Sequence, residues 1–435
     1  MAARSRLRLA HWVALVLILA PAWKLFEWAW GAHPRAVSAR SAALGATLFR
    51  HDWTPNDPLA SGDGLGPVFN ARSCVECHNQ GGIGGGGPLD KNVTAFGFPA
   101  NHEPPQGIPS SGVVHQQAVR PELQETLAHL HSGLPSRPGF SLEEILNGAG
   151  TRVRGIQISQ RNTPALFGDG LIDAVPDSAI IAHQREHSDA ASLVGLNHAK
   201  DSLIRGRVAR LADGRVGKFG WKGEFATLND FVKAACANEV GLSNPGRPQP
   251  APLGKRGYKC QGIDLTDAQC EMMTDFVRSL PHPVERTPNG RDGLASVSSG
   301  RSLFESIGCA DCHTSKLGPV VGLFSDLLLH DMGVDLESAP GAYGEPPVAS
   351  MAFAREERPN AAEWRTPPLW GVADSGPYLH DGRAKTLEEA IEQHGGEAKG
   401  VAKRFAALPP GEQATVVSFL NTLRAPAAAP VIASK

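Results

Sequence analysis

The hydrophobic and polar positions along the chain follow helical spacing more often than strand alternation. From Ala268 onward, the apolar residues Cys270, Met273, Val277 and Leu280 recur three or four positions apart. This spacing predicts a helix with one buried face. Few stretches alternate with a period of two, so the pattern favours a mostly α fold.

Helix starts are indicated where Ser or Thr is followed three residues later by an acidic residue or Gln, which is the pattern of a capping box. Such pairs are Thr227 with Asp230, Thr266 with Gln269, Thr386 with Glu389, and Ser141 with Glu144. Gly148 can close the helix that Ser141 opens.

Five short sequence landmarks occur twice in the same order, which indicates an internal duplication. The first copies lie at residues 45–49, 74–78, 163–168, 221–228 and 276–280, and the second copies at residues 300–304, 309–313, 366–371, 380–387 and 419–423. The spacing between copies falls steadily along the chain, so the first copy carries the net insertions. We therefore expect two related domains, at residues 40–285 and 295–428, the first enlarged either by surface loops or by specialised chemistry.

The N-terminal residues 1–31 are typical of an export signal or a membrane anchor. Arg4, Arg6 and Arg8 precede an apolar run at residues 12–20. The run is short for a spanning helix, although residues 24–30 could extend it as an uncleaved interfacial anchor. Both interpretations predict a periplasmic protein, either soluble after cleavage or anchored to the inner membrane.

Composition narrows the function classes. The formal charge is −2 and no basic block is present, which excludes an electrostatic footprint for nucleic acid. With 435 residues, 41% of them hydrophobic, the chain can bury a large core. The 48 glycines and 34 prolines suit a loop-rich fold around cofactors.

The second landmark is a Cys-x-x-Cys-His run, CVECH at residues 74–78 and CADCH at residues 309–313. In c-type haem attachment, two thiols add to the porphyrin vinyl groups and the adjacent imidazole becomes the proximal iron ligand. Zinc knuckles and redox dithiols also use Cys-x-x-Cys, but dithiols rarely need the His and zinc would need the two distant pairs to converge. The predicted attachment residues are Cys74, Cys77 and His78 for haem one, and Cys309, Cys312 and His313 for haem two.

Residues 64–74, 163–168, 219–222 and 378–383 resemble the di-haem cytochrome c peroxidase superfamily, in particular its branch of di-haem, or thiol-oxidoreductase-like, oxidoreductases. The resemblance covers residues 40–425. It implies two haems on either side of a domain interface, one receiving electrons from a small donor such as a cytochrome or cupredoxin and one meeting peroxide. Relatives often also hold calcium at the interface, although no compact oxygen-ligand motif is visible in this chain.

The resemblance places a second ligand of the electron-transfer haem on the helix that follows His380. The corresponding residue is His394, where the peroxidases carry Met, so haem two is expected to be bound by His313 and His394. His in place of Met lowers the reduction potential. His330 and Met332 are rival ligands, and His394 could instead be a solvated residue at the helix end. His380 is expected to hydrogen-bond a propionate or the interface.

At haem one the helix position equivalent to His394 is Ala235, which favours an open or exchangeable iron site. A loop histidine, His102 or His115, could fill it at rest, or both could be surface residues. Among the remaining cysteines, Cys260 and Cys270 close the shorter loop and are the expected disulfide.

Cys236 is left over by that pairing. It is a candidate thiolate ligand or substrate-reactive thiol, with disulfide formation or simple burial as the alternatives.

Peroxide cleavage needs a group that moves a proton between the two oxygens. By the resemblance that group is Glu239, although an exposed carboxylate at a helix end would look the same in sequence. The distal Gln of the relatives corresponds to Phe231 here. Trp221 matches the position of an indole that relays electrons between the haems, and a core Trp packed against haem is the alternative.

Three function classes follow from these features. The first is an exported di-haem oxidoreductase that passes electrons from one haem to another, where peroxide is reduced or a substrate oxidised. The second is a non-catalytic electron-transfer cytochrome with both irons six-coordinate. The third is an oxygen-activating oxidase of an organic or thiol substrate.

Overall fold

The computed structural model describes residues 37–98, 102–131, 134, 155–194, 204–255, 257–338, 343, 353 and 357–427. The N-terminal segment 1–31 and the helix start expected at Ser141 lie outside these residues. Within the described part of the chain, no helix has the length and apolar character needed to cross a membrane.

Helices joined by long loops are the main regular structure, and small sheets accompany them. The helices are α1 Ala39–Arg50, α2 Cys74–Cys77, α3 Asp169–Asp173, α4 Asp177–Val194, α5 Leu228–Val240, α6 Asp267–Ser279, α7 Arg291–Ser306, α8 Leu387–Glu392, α9 Lys399–Ala406 and α10 Pro410–Leu420. Short 3₁₀ turns lie at Leu89–Lys91, Pro121–Leu123, Leu127–His129, Cys309–Asp311, Val334–Leu336, Val372–Asp374 and Gly396–Ala398.

The strands are short and antiparallel. They are β1 Val68–Phe69, β2 Val93–Gly97, β3 Ser111–Val114, β4 Gln117–Ala118, β5 Gln157–Arg161, β6 Val284–Glu285, β7 Lys316–Leu317, β8 Val320–Val321, β9 Leu329–Asp331, β10 Glu363–Arg365 and β11 Leu423–Arg424. The order β3-β2-β5 forms a three-stranded sheet, and β9 pairs with β10 so that His330 lies opposite Trp364.

Three helix starts lie where the capping pattern predicts them. The side chain of Thr266 accepts a hydrogen bond from the Gln269 backbone, and the Gln269 side chain accepts one in return. Thr386 and Glu389 form the same reciprocal pair at α8. Thr227 caps α5 through its own side chain. These predictions are confirmed because each cap satisfies backbone N–H groups that the first helical turn leaves unpaired.

Two helix pairs meet at glycines. In α1, which packs on α6, a Cβ at Gly45 would lie only 1.8 Å from the Met272 carbonyl oxygen. In α7, which packs on α10, a Cβ at Gly300 would lie 1.9 Å from the Thr415 carbonyl oxygen. Only glycine lets the two backbones approach this closely at these positions.

Among the described residues, the largest hydrophobic core draws side chains from both predicted domains. Phe49 and Phe276 belong to the same buried cluster as Leu323, Leu328 and Trp370. The two parts of the chain are therefore packed against each other, and the cavity described next lies between them.

Candidate functional site between the two Cys-x-x-Cys-His motifs

One largely apolar cavity is lined by both Cys-x-x-Cys-His motifs. Cys74, Cys77 and His78 line it from the first half, and Cys309, Cys312 and His313 from the second. All seven cysteines are free thiols. The structure therefore brings the six predicted attachment residues to a single cavity.

The His78 ring has a fixed orientation. Its Nδ1 lies 3.2 Å from the Gly85 carbonyl oxygen and 3.1 Å from that of Pro164, so Nδ1–H donates to backbone and Nε2 is left for iron. Burial lowers the pKa of His78 to about 4, which keeps the imidazole in the neutral, metal-binding form. The ring centroid of Phe49 lies 6.3 Å from that of His78.

His313 has the same arrangement. Its Nδ1 donates to the Phe324 carbonyl oxygen at 2.9 Å, and burial lowers its pKa to about 4. The ring centroid of Phe304 lies 6.5 Å away. Both motif histidines thus present Nε2 as the nitrogen available to a metal.

His394 lies two residues past the end of α8 and lines the cavity. Its Nδ1 donates to the Ala390 carbonyl oxygen at 2.6 Å, which leaves Nε2 free, and burial lowers its pKa. Burial is the main cause of the low His313 pKa, and the nearby His394 lowers it further. Two neutral imidazoles therefore lie close together at the haem-two end of the cavity.

The rival ligands differ in how they are held. Both ring nitrogens of His330 are occupied, Nε2 at 2.9 Å from Asp326 Oδ2 and Nδ1 at 2.9 Å from Glu397 Oε2. Burial disfavours the charged ring, but the Asp326 carboxylate outweighs it and raises the pKa of His330 well above 6.5. His330 has no nitrogen left for iron. Met332 lines the cavity and stays an alternative.

Asp326, His330 and Cys312 also place their ligand atoms within 4.8 Å of one another, a separation that a bound metal ion would suit. Cys312 is a haem-attachment residue by sequence, and a thioether sulfur offers no thiolate to such an ion.

Replacing His330 with Leu is expected to destabilise the protein by about 3–5 kcal/mol, because the buried Asp326 carboxylate loses its charged partner. The pKa of Asp326 is lowered in the folded protein, so its contribution to the free energy of unfolding is lost as pH falls below 3.8. The pKa of His330 is raised, so its contribution to the free energy of unfolding is lost as pH rises above 6.5. The effect should be largest between these values.

Thermal unfolding across this pH range measures the difference. The exposed His282→Leu variant is the control. A loss below about 1 kcal/mol, as for a surface pair, would contradict the assignment.

The haem-one end is built on α5. Ala235 and Glu239, four residues apart, both line the cavity, as does Cys236. Burial raises the pKa of the Cys236 thiol well above 9.0, which disfavours the thiolate considered from sequence. The expected Cys260–Cys270 disulfide is not formed: Cys270 is buried on the inner face of α6, whereas Cys260 is half-buried in the preceding loop with its Sγ 3.2 Å from the Gly262 carbonyl oxygen.

Glu239 is not an exposed helix-end carboxylate. Asn70 Nδ2 donates to its Oε2 at 2.6 Å, and the Tyr343 hydroxyl donates to its Oε1. Burial raises the pKa of Glu239, while these two hydrogen bonds and the charge of His115 act in the opposite direction. The Tyr343 ring packs against Phe231, at a centroid separation of 6.1 Å.

Tyr343 could not be found from sequence. It lies 104 residues from Glu239, on the other side of the second motif, and no recognisable motif surrounds it.

The structure does not bring the two loop histidines to the cavity. His115 is buried with Nδ1 3.1 Å from Glu125 Oε2 and Nε2 2.9 Å from the Asn238 carbonyl oxygen, so both nitrogens are occupied. His102 is exposed and lies against Gly155. Neither belongs to the cavity wall.

Aromatic rings form the cavity wall between the two ends. Trp221 Nε1 donates to the Asn162 carbonyl oxygen at 2.9 Å, and its ring meets Trp364 edge to face at 6.5 Å. Trp364 in turn stacks on His380 at 3.7 Å and 17°. Trp364 was missed in the sequence because its role depends on the pairing of β9 with β10.

Two guanidinium groups line the same wall, that of the buried Arg161 and that of the half-buried Arg365. Arg161 and Arg365 form no ion pair with any carboxylate in the described ranges. Burial lowers the pKa of Arg161 to about 10 and also lowers that of Arg365. A buried cation needs an anionic partner, and the propionate groups of a haem have the right charge and geometry. The donor set therefore fits haem.

The cavity, the two motif histidines and the two guanidinium groups together define a haem oxidoreductase site. A sequence model of the family described as "Di-haem oxidoreductase, putative peroxidase" matches residues 152–423, and the chain belongs to this family. The family consists of oxidoreductases of peroxidase-like type that carry two haems.

Several curated proteins are similar over part of their length. Methylamine utilization protein MauG of Methylorubrum extorquens is 31% identical over 144 residues, covering 31% of this chain and 36% of MauG. Cytochrome c551 peroxidase of Nitrosomonas europaea is 32% identical over 124 residues, covering 28% of this chain and 33% of the peroxidase. The chain thus spans about a third of the length of each.

Hydrazine synthase subunit gamma of Kuenenia stuttgartiensis is 25% identical over 192 residues, covering 38% of this chain and 52% of that subunit. Among solved structures, the diheme peroxidase BthA from Burkholderia thailandensis E264 aligns with 89% of this chain and 86% of BthA, at 16% identity and a TM-score of 0.42.

Proposed function

We propose that this protein is an exported c-type di-haem peroxidase that takes electrons at haem two and reduces peroxide at haem one. The observation that carries the proposal is the difference between the two ends of the cavity. At the haem-two end the second imidazole of His394 accompanies His313. At the haem-one end α5 offers Ala235 and, one turn on, the carboxyl group of Glu239. One iron would be closed and the other open.

Both haems would be attached through the thiols of their motifs, with His78 and His313 as proximal ligands and Arg161 and Arg365 holding propionates. Bound haem would supply the one-electron steps and an iron at which peroxide can be reduced. The chain supplies the rest: neutral imidazoles of fixed orientation, the two guanidinium groups, and a largely apolar wall that excludes water.

We also propose that the two halves are duplicated cytochrome c-like domains. The glycine contacts at Gly45 and Gly300 occupy corresponding landmark positions and are equally close to the facing helix. The ring of Phe49 lies 5.0 Å from Phe276, and that of Phe304 lies 5.4 Å from Phe419. Matching contacts at matching landmarks support a common origin.

Trp221 is the proposed route for electrons between the haems, because its ring lines the cavity wall between the two motifs. Replacing Trp221 with Phe is expected to slow electron transfer from haem two to haem one, since the indole and its contact with Trp364 are lost. Rapid-mixing absorption spectroscopy of half-reduced protein with peroxide measures this step. Trp53→Phe, a buried indole outside the cavity, is the control. An unchanged rate in Trp221→Phe would show that electrons bypass this residue.

Calcium remains part of the proposal. Asn162 Nδ2 lies 2.7 Å from the Pro377 carbonyl oxygen, and Asn162 Oδ1 is buried without a hydrogen-bond partner among the described residues. Carbonyl and amide oxygens are the ligands that calcium prefers. Asn162 Oδ1, from the first half, is the proposed protein ligand of an interface calcium ion, and the Nδ2 hydrogen bond to Pro377 of the second half orients it.

The location and the donor are proposed from sequence and similarity. The basic residues and apolar run of residues 1–31 support export to the periplasm, where c-type attachment takes place. A small cytochrome or cupredoxin is the proposed electron donor, and peroxide the proposed substrate; the name of the Nitrosomonas europaea relative supports this reaction.

Mixing half-reduced protein with hydrogen peroxide tests the reaction. Stoichiometric peroxide consumption with oxidation of both haems is expected. No reaction with peroxide or dioxygen would instead indicate an electron carrier. Reaction with dioxygen alone would indicate an oxidase of an organic or thiol substrate.

A further inference from the structure

We propose that Tyr343 contacts the peroxide directly and relays its proton to Glu239. This inference rests on the proposed peroxide reaction at haem one and assigns the residue that performs its first proton transfer.

The position of Tyr343 is the first argument. Its hydroxyl donates to Glu239 Oε1, whereas Oε2 accepts from Asn70. Tyr343 lines the cavity and Asn70 does not, so Oε1 is the carboxyl oxygen on the cavity side. Glu239 lines the cavity as well, and the Tyr343 O–H occupies its Oε1 on that side. The hydrogen bond therefore offers a path through the phenol for a proton that passes from a ligand in the cavity to Oε1.

The second argument is that the phenol is held in place. Its ring meets Phe225 at 6.4 Å and Phe231 at 6.1 Å, both edge to face. Two aromatic contacts and one hydrogen bond to a carboxylate fix both the ring and the direction of its O–H bond. The phenol oxygen keeps a lone pair that can accept a hydrogen bond from a ligand in the cavity.

The proton balance of the step is simple. The O–H bond of hydrogen peroxide breaks and its proton moves to the Tyr343 oxygen, while the phenol's own proton moves to Glu239 Oε1. The products are hydroperoxide, a neutral phenol and a protonated Glu239, and no electron is transferred. The reverse shift returns this proton to the oxygen that leaves as the first water. The donor protein supplies two electrons and solvent supplies two protons, which convert the second oxygen to water, so that H2O2, two electrons and two protons give two waters.

The relay also joins the two halves of the chain. Glu239 belongs to the first predicted domain and Tyr343 to the second, 104 residues apart. The haem-one site is therefore complete only when the halves are packed together.

Hydrogen cyanide tests the relay without turnover, because binding of its anion to ferric iron also requires a base to take its proton. The association rate is measured by absorption for the haem-loaded protein and for Tyr343→Phe, Glu239→Gln and the double variant. Each single variant should bind cyanide about 10²-fold or more slowly than wild type, and the double variant no more slowly than either single one.

Controls separate a relay from a packing role. Tyr258→Phe removes a phenol that donates to Gln249 outside the cavity, and should leave the rate unchanged. Tyr343→His restores a group that can accept and pass on a proton, and should bind cyanide faster than Tyr343→Phe. Haem content and absorption spectra show that each variant is folded and loaded.

Three results would overturn the relay. The first is a cyanide association rate in Tyr343→Phe within a few fold of wild type, and the second is a double variant in which the rate losses of the two single variants multiply. The third is a Tyr343→His variant that binds cyanide no faster than Tyr343→Phe. If wild-type protein binds neither cyanide nor peroxide in any redox state, the proposed peroxide reaction fails and the relay fails with it. If wild type binds both and only the variant pattern is wrong, the relay alone is rejected.

Discussion

Replacing Glu239 with Gln is expected to lower the rate of peroxide reduction about 10²- to 10⁴-fold, because the site loses the group that accepts and returns the proton. Gln keeps the size of the side chain and one acceptor oxygen, which can still accept from the Tyr343 hydroxyl, whereas its NH2 group cannot accept from Asn70. The matched control is Glu271→Gln, a carboxylate that accepts a hydrogen bond from Asn229 at 2.7 Å and does not line the cavity. Steady-state turnover at saturating donor measures the effect, and a rate close to wild type would exclude Glu239 as the acid–base group.

The pH dependence provides a second readout of the same group. Burial raises the pKa of Glu239 above 4.5, so its proton-accepting form is lost as pH falls through this raised value. Wild-type peroxide association should therefore decrease on the acid side, with a midpoint above 4.5, and this decrease should disappear in Glu239→Gln. The same acid limb in both proteins would assign it to another residue.

Replacing His394 with Met is expected to raise the reduction potential of haem two, within the roughly 0.8 V range that axial ligands span. Imidazole favours ferric iron more strongly than a thioether does. A potentiometric titration followed by absorption should show one haem shifted upward and the other unchanged. Met332→Leu is the matched control, since it removes the rival ligand at the same end of the cavity. A shift in Met332→Leu and none in His394→Met would make Met332 the ligand.

The sequence was sufficient to predict features that depend only on residues close together along the chain. The caps at Thr266 and Thr386 could be predicted because each depends on two residues three positions apart. Cys270, Met273 and Val277 are buried as predicted, because helical periodicity alone places these residues on one face. Leu280, the fourth residue of the predicted stripe, follows the helix as its C-cap and is half-buried.

Contacts between distant segments could not be read from sequence. Tyr343 reaches Glu239 through the packing of the two halves, and Trp364 reaches Trp221 and His380 through strand pairing. Neither contact has a local sequence signature.

Cysteine pairing is another case that loop length could not decide. Cys270 is fixed by the buried face of its helix, whereas Cys260 belongs to a loop that makes its own hydrogen bond. The different burial of the two side chains therefore outweighs their proximity along the chain.

The central claim is that one haem iron is closed by two histidines and the other is open. Electron paramagnetic resonance tests it most directly, on the oxidised and half-reduced haem-loaded protein, with and without cyanide. We expect one low-spin haem that cyanide leaves unchanged, held by His313 and His394, and one haem that binds cyanide. In a variant with Cys74 and Cys77 replaced by Ala, only the unreactive haem should remain. Two low-spin haems that ignore cyanide in both redox states would contradict the account and leave an electron carrier.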